Sequence, residues 1–285
     1  WIMLFFMIAS QIVDIGMTAS ARYGFRSFQF VYNVPGNFSK VFYFLVPLLT
    51  ADLNYKTSTY KKVTIICALI VWASTMRSRA FAFIAIFLLM AVFFFTSNGK
   101  KWGNKIRRKI KVVYIIPVVL VAIAICWNQL VFYFTTDTQA RSVLLRFGIL
   151  TMMTYFPLGA GFGTFGSDVA ATRYSPLYQK YGFNSIYGMR QNEAYFLNDN
   201  YWPMIMGQFG FFGLVLILIA LMKFMKMVIS TTKENKYFYF STFCAVGFLL
   251  LSSVASKSYS EFSSICVFML IGVFVKCTRT VSQEG

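Results

Sequence analysis

Residues 204–228 read MIMGQFGFFGLVLILIALMKFMKMV, an apolar run whose first charged residue is Lys223. A helix rises about 1.5 Å per residue, so a run of this length crosses a hydrocarbon core of about 30 Å. Lipid cannot satisfy loose backbone groups, and a spanning segment is therefore a helix or a strand of a closed barrel. The run is continuous and lacks the period-two alternation of barrel strands, so it predicts a transmembrane helix.

Similar apolar runs recur along the chain and predict about eight helices in an all-α, polytopic transmembrane bundle. The composition agrees, because 58% of the 285 residues are hydrophobic and 13% are charged, against about 25% charged in soluble domains. The chain starts at Trp1 inside an apolar run, so we expect a longer protein with further spans upstream. The predicted runs are 1–17, 40–53, 63–76, 79–98, 112–134, 204–228, 238–255 and 262–276. The run 63–98 is interrupted at Met76–Arg79, which predicts a tight turn or a polar insertion there.

The distribution of positive charge assigns the loops to the two sides of the membrane. A net charge of +18 would indicate nucleic acid in a soluble protein, but Lys and Arg concentrate in the cytoplasmic loops of membrane proteins. We therefore predict no nucleic-acid partner. The denser set of loops, assigned to the cytoplasm, is 54–62, 99–111, 223–237 and 276–285. Three regions follow: transmembrane helices in 1–134, a long extracytoplasmic loop with short helices at 135–203, and transmembrane helices in 204–285.

The two sets of loops differ in the cation that they use. The cytoplasmic set holds 13 Lys and 3 Arg, and the exterior set holds 3 Lys and 8 Arg. The exterior arginines are Arg22, Arg26, Arg77, Arg79, Arg141, Arg146, Arg173 and Arg190. Topology requires positive charge of either kind, whereas a forked guanidinium suits the oxygens of a phosphate. The asymmetry thus indicates phosphate recognition, with base composition and chance as the alternative.

The exterior segment begins with a predicted helix that carries two arginines. Residues 139–156 are apolar except for Arg141, Arg146 and small hydroxyl residues, which favours a helix at the outer interface. Five positions on a helix correspond to about 140°, so the two side chains do not strictly share a face. They can converge on an extended group between them, or each can extend toward lipid headgroups.

A glycine-rich stretch follows, from Pro157 to Gly166. Alternating glycines let a backbone approach a ligand or a neighbouring helix, and they can present N–H donors to an anion, which makes Gly161 and Gly163 candidates. A flexible turn between helices is the other interpretation. Because no strand precedes the stretch and no Gly-Lys-Ser/Thr follows it, the Rossmann and Walker motifs are excluded.

The end of the exterior segment supplies a candidate general base. Tyrosines and amides lead to Asn198-Asp199-Asn200, a composition that suits sugar rings or a membrane interface. A carboxylate at the mouth of a membrane cavity is a candidate base, so we single out Asp199, with a helix N-cap as the alternative role. The chain has no His and no Asp-x-Asp pair, and its five Cys lie in apolar runs or in the tail. We therefore predict no metal site and no cofactor, with arginines stabilising a phosphate leaving group.

Three motifs in this order resemble the O-antigen ligase and polymerase superfamily of bacterial membrane glycosyltransferases. Ser78-Arg79-Ala80 leads directly into an apolar run. Arg141 and Arg146 precede a glycine-rich turn that starts with Pro157. Asp199-Asn200 is followed by nine residues and then by Gly210-Phe211-Phe212-Gly213. The ligases of this family carry His where Asp199 stands, so the resemblance is to the polymerase branch, the Wzy-like polysaccharide polymerases.

The resemblance implies a metal-independent glycosyltransferase in the bacterial cytoplasmic membrane, with its active site on the extracytoplasmic side. It would polymerise undecaprenyl-pyrophosphate-linked repeat units into O-antigen, capsule or exopolysaccharide, with a chain-length regulator and a flippase as further partners. Asp199 is then expected to accept a proton, and Arg79, Arg141 and Arg146 to hold the departing pyrophosphate. The other expected substrate-binding residues are Arg77, Gly161, Gly163, Arg190, Glu193, Asn200 and Tyr201.

Three other functions fit the same pattern in part. A ligase-type glycan transferase shares the motifs. A lipid-linked oligosaccharide flippase shares the apolar runs and the arginines, but it is expected to place charges within spans and to contain inverted repeats. A structural subunit of an export complex explains the hydrophobicity and gives no reason for the arginine asymmetry.

Overall fold

A computed structural model of the chain describes residues 1–22, 24–55, 57–95, 139–254, 256, 257, 259 and 261–283. Most of these residues are helical. The helices are α1 (Ile2–Ile12), α2 (Pro35–Asp52), α3 (Thr59–Ala73), α4 (Ser78–Phe95), α5 (Ala140–Thr154), α6 (Asp168–Thr172), α7 (Pro176–Lys180), α8 (Tyr201–Thr232), α9 (Lys236–Ser253) and α10 (Phe262–Gln283). A 3₁₀ turn covers Phe183–Ser185, and two antiparallel strands are β1 (Thr18–Arg22) and β2 (Phe25–Phe28).

The described residues fall into two compact units, and each is treated by itself. The first unit takes the described residues of 1–127, 228–248 and 265–285, and the second takes those of 128–227 and 249–264. The second unit contains the described part of the segment that the sequence assigns to the exterior.

The predicted helices are confirmed more fully than the predicted spans. A helix occupies every predicted run that lies within the described residues. In that part of the chain, Tyr201–Thr232 and Phe262–Arg279 are long and apolar enough to cross a membrane. The structure thus does not support the prediction of about eight spans: the 11 residues of α1 rise about 16 Å, half the thickness of the hydrocarbon core. The predicted run 112–134 lies outside the described residues.

The all-α prediction is confirmed only coarsely, because two short paired strands lie in a stretch that it treated as a loop. The chain turns after α1 where the Gly16 N–H donates to the Asp14 carboxylate at 3.1 Å. The amide of Gln11 then acts like a neighbouring strand, because it donates to the Arg26 carbonyl at 2.9 Å and accepts from the Arg26 N–H at 3.1 Å. The pattern of apolar residues in the sequence does not predict that a side chain pairs with the backbone in this way.

The first unit packs around Trp72 of α3. Its indole is fully buried, stacks on Phe42 of α2 at 5.6 Å and donates a hydrogen bond to the Ser39 hydroxyl at 2.7 Å. The predicted interruption at Met76–Arg79 forms the tight turn between α3 and α4, with Met76 at a φ of 50°.

The described part of the exterior segment has a hydrophobic core of its own. Phe165, Tyr178 and Phe183 are fully buried between α5, α7 and the 3₁₀ turn. The Gly166 N–H donates to the Tyr178 hydroxyl at 2.8 Å, and burial raises the pKa of this tyrosine. Tyr174 is also buried, so some of the tyrosines of the exterior segment pack in this core.

A break in α8 receives the glycine-rich stretch. Gly210 adopts a φ of 61° and a ψ of −154°, which interrupts the helix. The Ala160 N–H donates to the Gly207 carbonyl at 2.8 Å, and the Phe212 N–H donates to the Pro157 carbonyl at 3.3 Å. A Cβ at Gly159 would lie 2.5 Å from the Gly210 nitrogen. The two backbones can approach this closely only because both positions lack a side chain.

We expect Gly210→Ala to lower the free energy of unfolding by about 2 kcal/mol or more, because the left-handed φ is strained and the new Cβ meets backbone atoms. Thermal unfolding of the detergent-solubilised protein measures the effect. Gly247→Ala in α9 is the control: a Cβ there meets no atom within 4 Å, and its expected change is zero or slightly stabilising. Equal unfolding temperatures for Gly210→Ala and the wild type would contradict the backbone contact.

Candidate functional site

Arg141 and Asp199 form an ion pair that joins α5 to the segment before α8. The Nε and Nη2 of Arg141 both donate to Oδ2 of Asp199, at 2.9 and 2.6 Å. Hydrogen bonds between ionised groups are about twice as strong as neutral ones. The fork therefore fixes both groups, although 58 positions separate them in the chain.

The ion pair lies in the wall of a cavity of about 540 Å³. Its charged lining residues are Arg141, Arg190 and Asp199, and Gln139 and Ser185 add polar groups. Aromatic side chains form another part of the wall. The volume falls in the range of small-molecule sites, about 300–1,000 Å³. The cavity thus combines two cations, one carboxylate and an apolar face.

A tight turn presents Arg190 to this cavity. The Glu193 N–H donates to the Arg190 carbonyl at 3.0 Å, and the two side chains form a loose ion pair at 3.9 Å. Arg190 also lines a second cavity of about 380 Å³, together with Glu193 and the amide side chains of Asn184, Gln191 and Asn192. Arg190 therefore borders both cavities.

A second polar network holds the residue next to Asp199. The Lys257 ammonium lies 2.9 and 3.2 Å from the two carboxylate oxygens of Asp168, and the Asn198 amide donates to the same carboxylate. The hydrogen bond from Lys257 lowers the pKa of Asp168, and the one from Asn198 acts in the same direction. Asn198 is therefore held by Asp168, and the neighbouring Asp199 is held by Arg141.

The glycine-rich stretch directs its donors toward α8. The Gly161 N–H donates to the Gln208 carbonyl at 3.1 Å, and the Gly163 N–H donates to the Gln208 side-chain oxygen at 3.1 Å. Gln208 is buried, and its Nε2 donates to the Phe165 carbonyl at 2.6 Å. Of the alternatives that the sequence left open, these contacts fit the approach to a neighbouring helix. The binding role of Gly161 and Gly163 stays a prediction.

Three other predicted residues of the second unit do not line the cavity of the ion pair. Arg146 is exposed on α5. The Tyr201 ring packs against the Tyr259 ring at 4.9 Å. Asn200 is 6% exposed, and within the described residues its Oδ1 accepts no hydrogen bond. A buried acceptor of this kind costs about 1–3 kcal/mol unless water or a ligand satisfies it.

Arg77 and Arg79 belong to the first unit. The Arg77 guanidinium lies beside Gly36 in the first turn of α2, and Arg79 is half-buried in the first turn of α4. The binding of pyrophosphate by Arg79 and of substrate by Arg77 stays a prediction.

The sequence interpretation missed Gln139, Ser185 and Phe196, which all line the cavity. Gln139 directly precedes α5 and so enters the site together with Arg141. Ser185 carries no sequence signal that separates it from other exterior serines. Phe196 follows a tyrosine in the aromatic part of the segment, and this neighbourhood is the only feature of the sequence that could have indicated it.

No family model matches the chain, and neither a curated protein nor a solved structure was found that matches it. Across the described ranges, no three His, Cys, Asp or Glu side chains lie close enough to hold a metal ion.

Proposed function

We propose that the protein is a polytopic membrane glycosyltransferase of the O-antigen ligase and polymerase type. It joins undecaprenyl-pyrophosphate-linked oligosaccharide repeat units on the outer face of the bacterial cytoplasmic membrane. The helices Tyr201–Thr232 and Phe262–Arg279 support membrane association by length and composition. The side of the membrane, the donor and the acceptor rest on the charge pattern and on the family resemblance.

The observation that carries the proposal is the grouping of Arg141, Arg190 and Asp199 in one cavity. Two guanidinium groups offer forked donors to the diphosphate of the donor. Asp199 is a carboxylate that can accept a proton from a hydroxyl group, provided that the hydroxyl comes within hydrogen-bond distance. In a transfer of a sugar from a lipid diphosphate without a metal ion, the cations stabilise the leaving group and the carboxylate serves as the base.

The contact between two motifs also supports the proposal. Gly159 belongs to the Pro-Gly turn of the family resemblance, and Gly210 belongs to the Gly-x-x-Gly element. The two elements pack backbone against backbone at the break in α8.

The proposed reaction is a direct displacement. The acceptor hydroxyl forms a bond from its oxygen to the anomeric carbon of the donor, and its proton passes to the Asp199 carboxylate. The bond from that carbon to the diphosphate oxygen breaks, and the electron pair leaves with undecaprenyl pyrophosphate. Arg141 and Arg190 stabilise the negative charge that grows on this leaving group.

Two measurements test the proposal. In a strain without the gene, we expect single repeat units to accumulate on undecaprenyl pyrophosphate while long polymer disappears. With the purified protein and this lipid-linked material, we expect longer chains and one released undecaprenyl pyrophosphate for each linkage. Normal polymer in the deletion strain would refute the polymerase function.

The cavity also predicts which second arginine acts with Arg141. We expect Arg190→Ala to slow polymerisation at least about tenfold, because it removes a donor from the cavity wall. Arg146→Ala should have a smaller effect, since Arg146 is exposed and does not line the cavity. Rates of undecaprenyl pyrophosphate release compare the two variants. If Arg146→Ala slowed this release more than Arg190→Ala, the result would favour the sequence interpretation, in which Arg141 and Arg146 converge on one group.

A further inference from the structure

Two aromatic side chains line the cavity that holds the ion pair. Tyr187 is 70% exposed and Phe196 is 37% exposed, and their ring centroids lie 6.3 Å apart. Tyr174 and Tyr178 of the same unit are buried in its core. Tyr187 and Phe196 are thus exposed aromatic side chains of the cavity wall, unlike these two tyrosines of the core.

The backbone holds Phe196 in this position. Gly188 has a φ of 73°, and its carbonyl accepts a hydrogen bond from the Phe196 N–H at 3.0 Å. A Cβ at Gly188 would overlap the Phe196 ring, so the ring lies directly on the glycine backbone. Phe196 is thus held in the cavity wall by a contact that only glycine permits.

The remaining lining residues indicate what the aromatic wall binds. Arg141 and Arg190 bring positive charge to the same cavity, while Gln139 and Ser185 bring hydrogen-bonding groups. A purely apolar ligand would exclude water from these charged and polar groups without offering any of them a hydrogen bond, which is unfavourable. A pyranose ring has an apolar C–H face and hydroxylated edges, and in a glycosyl diphosphate it is attached directly to an anion.

We propose that Tyr187 and Phe196 form a subsite for one sugar ring, next to the guanidinium groups that take the diphosphate. This inference rests on the proposed function, because it takes the ligand to be a glycosyl diphosphate. The ring lies against the aromatic faces, its hydroxyl groups reach Gln139 and Ser185, and its anomeric carbon lies on the side of Asp199. The cavity volume of about 540 Å³ falls in the range of about 300–1,000 Å³ for sites that enclose ligands of this size.

The test compares two probes that differ in their sugars. One probe is the lipid-linked oligosaccharide extracted from the deletion strain, and the other is undecaprenyl pyrophosphate alone. Binding of each to the purified full chain is measured in nanodiscs of phosphatidylglycerol and phosphatidylethanolamine. We expect Tyr187→Leu to weaken binding of the oligosaccharide probe about fivefold to tenfold and to leave the other probe unchanged. Tyr187→Phe keeps the ring and should bind like the wild type.

Tyr195→Leu is the matched control, because Tyr195 is 66% exposed beside Phe196 and does not line the cavity. Phe196→Leu provides a second variant and should also weaken the oligosaccharide probe alone. Equal binding of that probe by the Tyr187→Leu and Tyr195→Leu variants would overturn the subsite. If the Tyr187→Leu and Tyr195→Leu variants both had a lower thermal stability in nanodiscs and unchanged binding, the rings would be assigned to the membrane interface instead. If the wild type binds neither probe, the proposed function fails first, and the subsite fails with it.

Discussion

Replacing Asp199 with Asn is expected to abolish polymer formation and to leave binding of undecaprenyl pyrophosphate intact or tighter. An amide cannot accept the proton of the acceptor hydroxyl, and the loss of a general base costs on the order of 10² to 10⁴ in rate. The substitution also removes the anion that occupies the Nε and Nη2 donors of Arg141. A diphosphate then no longer competes with a carboxylate for this guanidinium.

The two readouts distinguish a base from a residue that only orients Arg141. Polymer is measured as a ladder in the complemented deletion strain, and undecaprenyl pyrophosphate binding is measured on the purified protein. Asp52→Asn is the control, since this carboxylate also pairs with a cation, Lys61 at 2.7 Å, and lies in the first unit. A normal ladder for Asp199→Asn would show that Asp199 is not the general base. Equal losses of polymer and of binding would make Asp199 a positioning residue for Arg141.

The sequence predicted α5 and the helix after Asp199 because both depend on local patterns. The run 139–156 is apolar except for two arginines and small hydroxyl residues, and the structure has α5 at Ala140–Thr154. The number of spans was not predictable in the same way. An apolar run is expected both in a protein core and in a membrane span, so it does not distinguish the two. In addition, α1 ends before the turn at Asp14–Gly16, within the predicted run 1–17.

The candidate site was predictable only in part, because its members meet through the core of the second unit. Arg141 and Asp199 were both singled out, but their direct contact depends on how α5 packs against residues 165–197. Arg146 shares a helix with Arg141, and helix geometry alone left the two side chains able to converge on an extended group or to extend toward lipid headgroups. Arg190 enters the cavity through a turn that the charge pattern does not reveal.

The glycine-rich stretch shows why a motif can predict proximity without predicting its partner. Its backbone does approach another element closely, as the alternating glycines indicated. The partner is Gln208, a buried polar residue within an apolar helix. The sequence gives no reason to pair Gly163 with an amide 45 positions away, because the pairing depends on the break at Gly210.

Exchanging Arg141 for Lys is expected to slow polymerisation by about 10² to 10³, within a factor of about ten of the loss in Arg141→Ala. The guanidinium approaches Asp199 along one edge with two nitrogens, at 2.9 and 2.6 Å, and this geometry requires a planar fork. An ammonium group keeps the charge but offers a single nitrogen. It cannot hold the carboxylate and also donate in parallel to two oxygens of a diphosphate.

The measurement is the rate of undecaprenyl pyrophosphate release by the purified variants, together with polymer ladders in the complemented deletion strain. Arg173→Lys serves as the control, because Arg173 is an exposed arginine of the same unit that does not line the cavity. A normal ladder for Arg141→Ala would refute the arginine assignment altogether. Activity in Arg141→Lys with none in Arg141→Ala would mean that a point charge suffices. The excess of arginine over lysine in the exterior loops would then need another explanation than phosphate geometry, at least at this position.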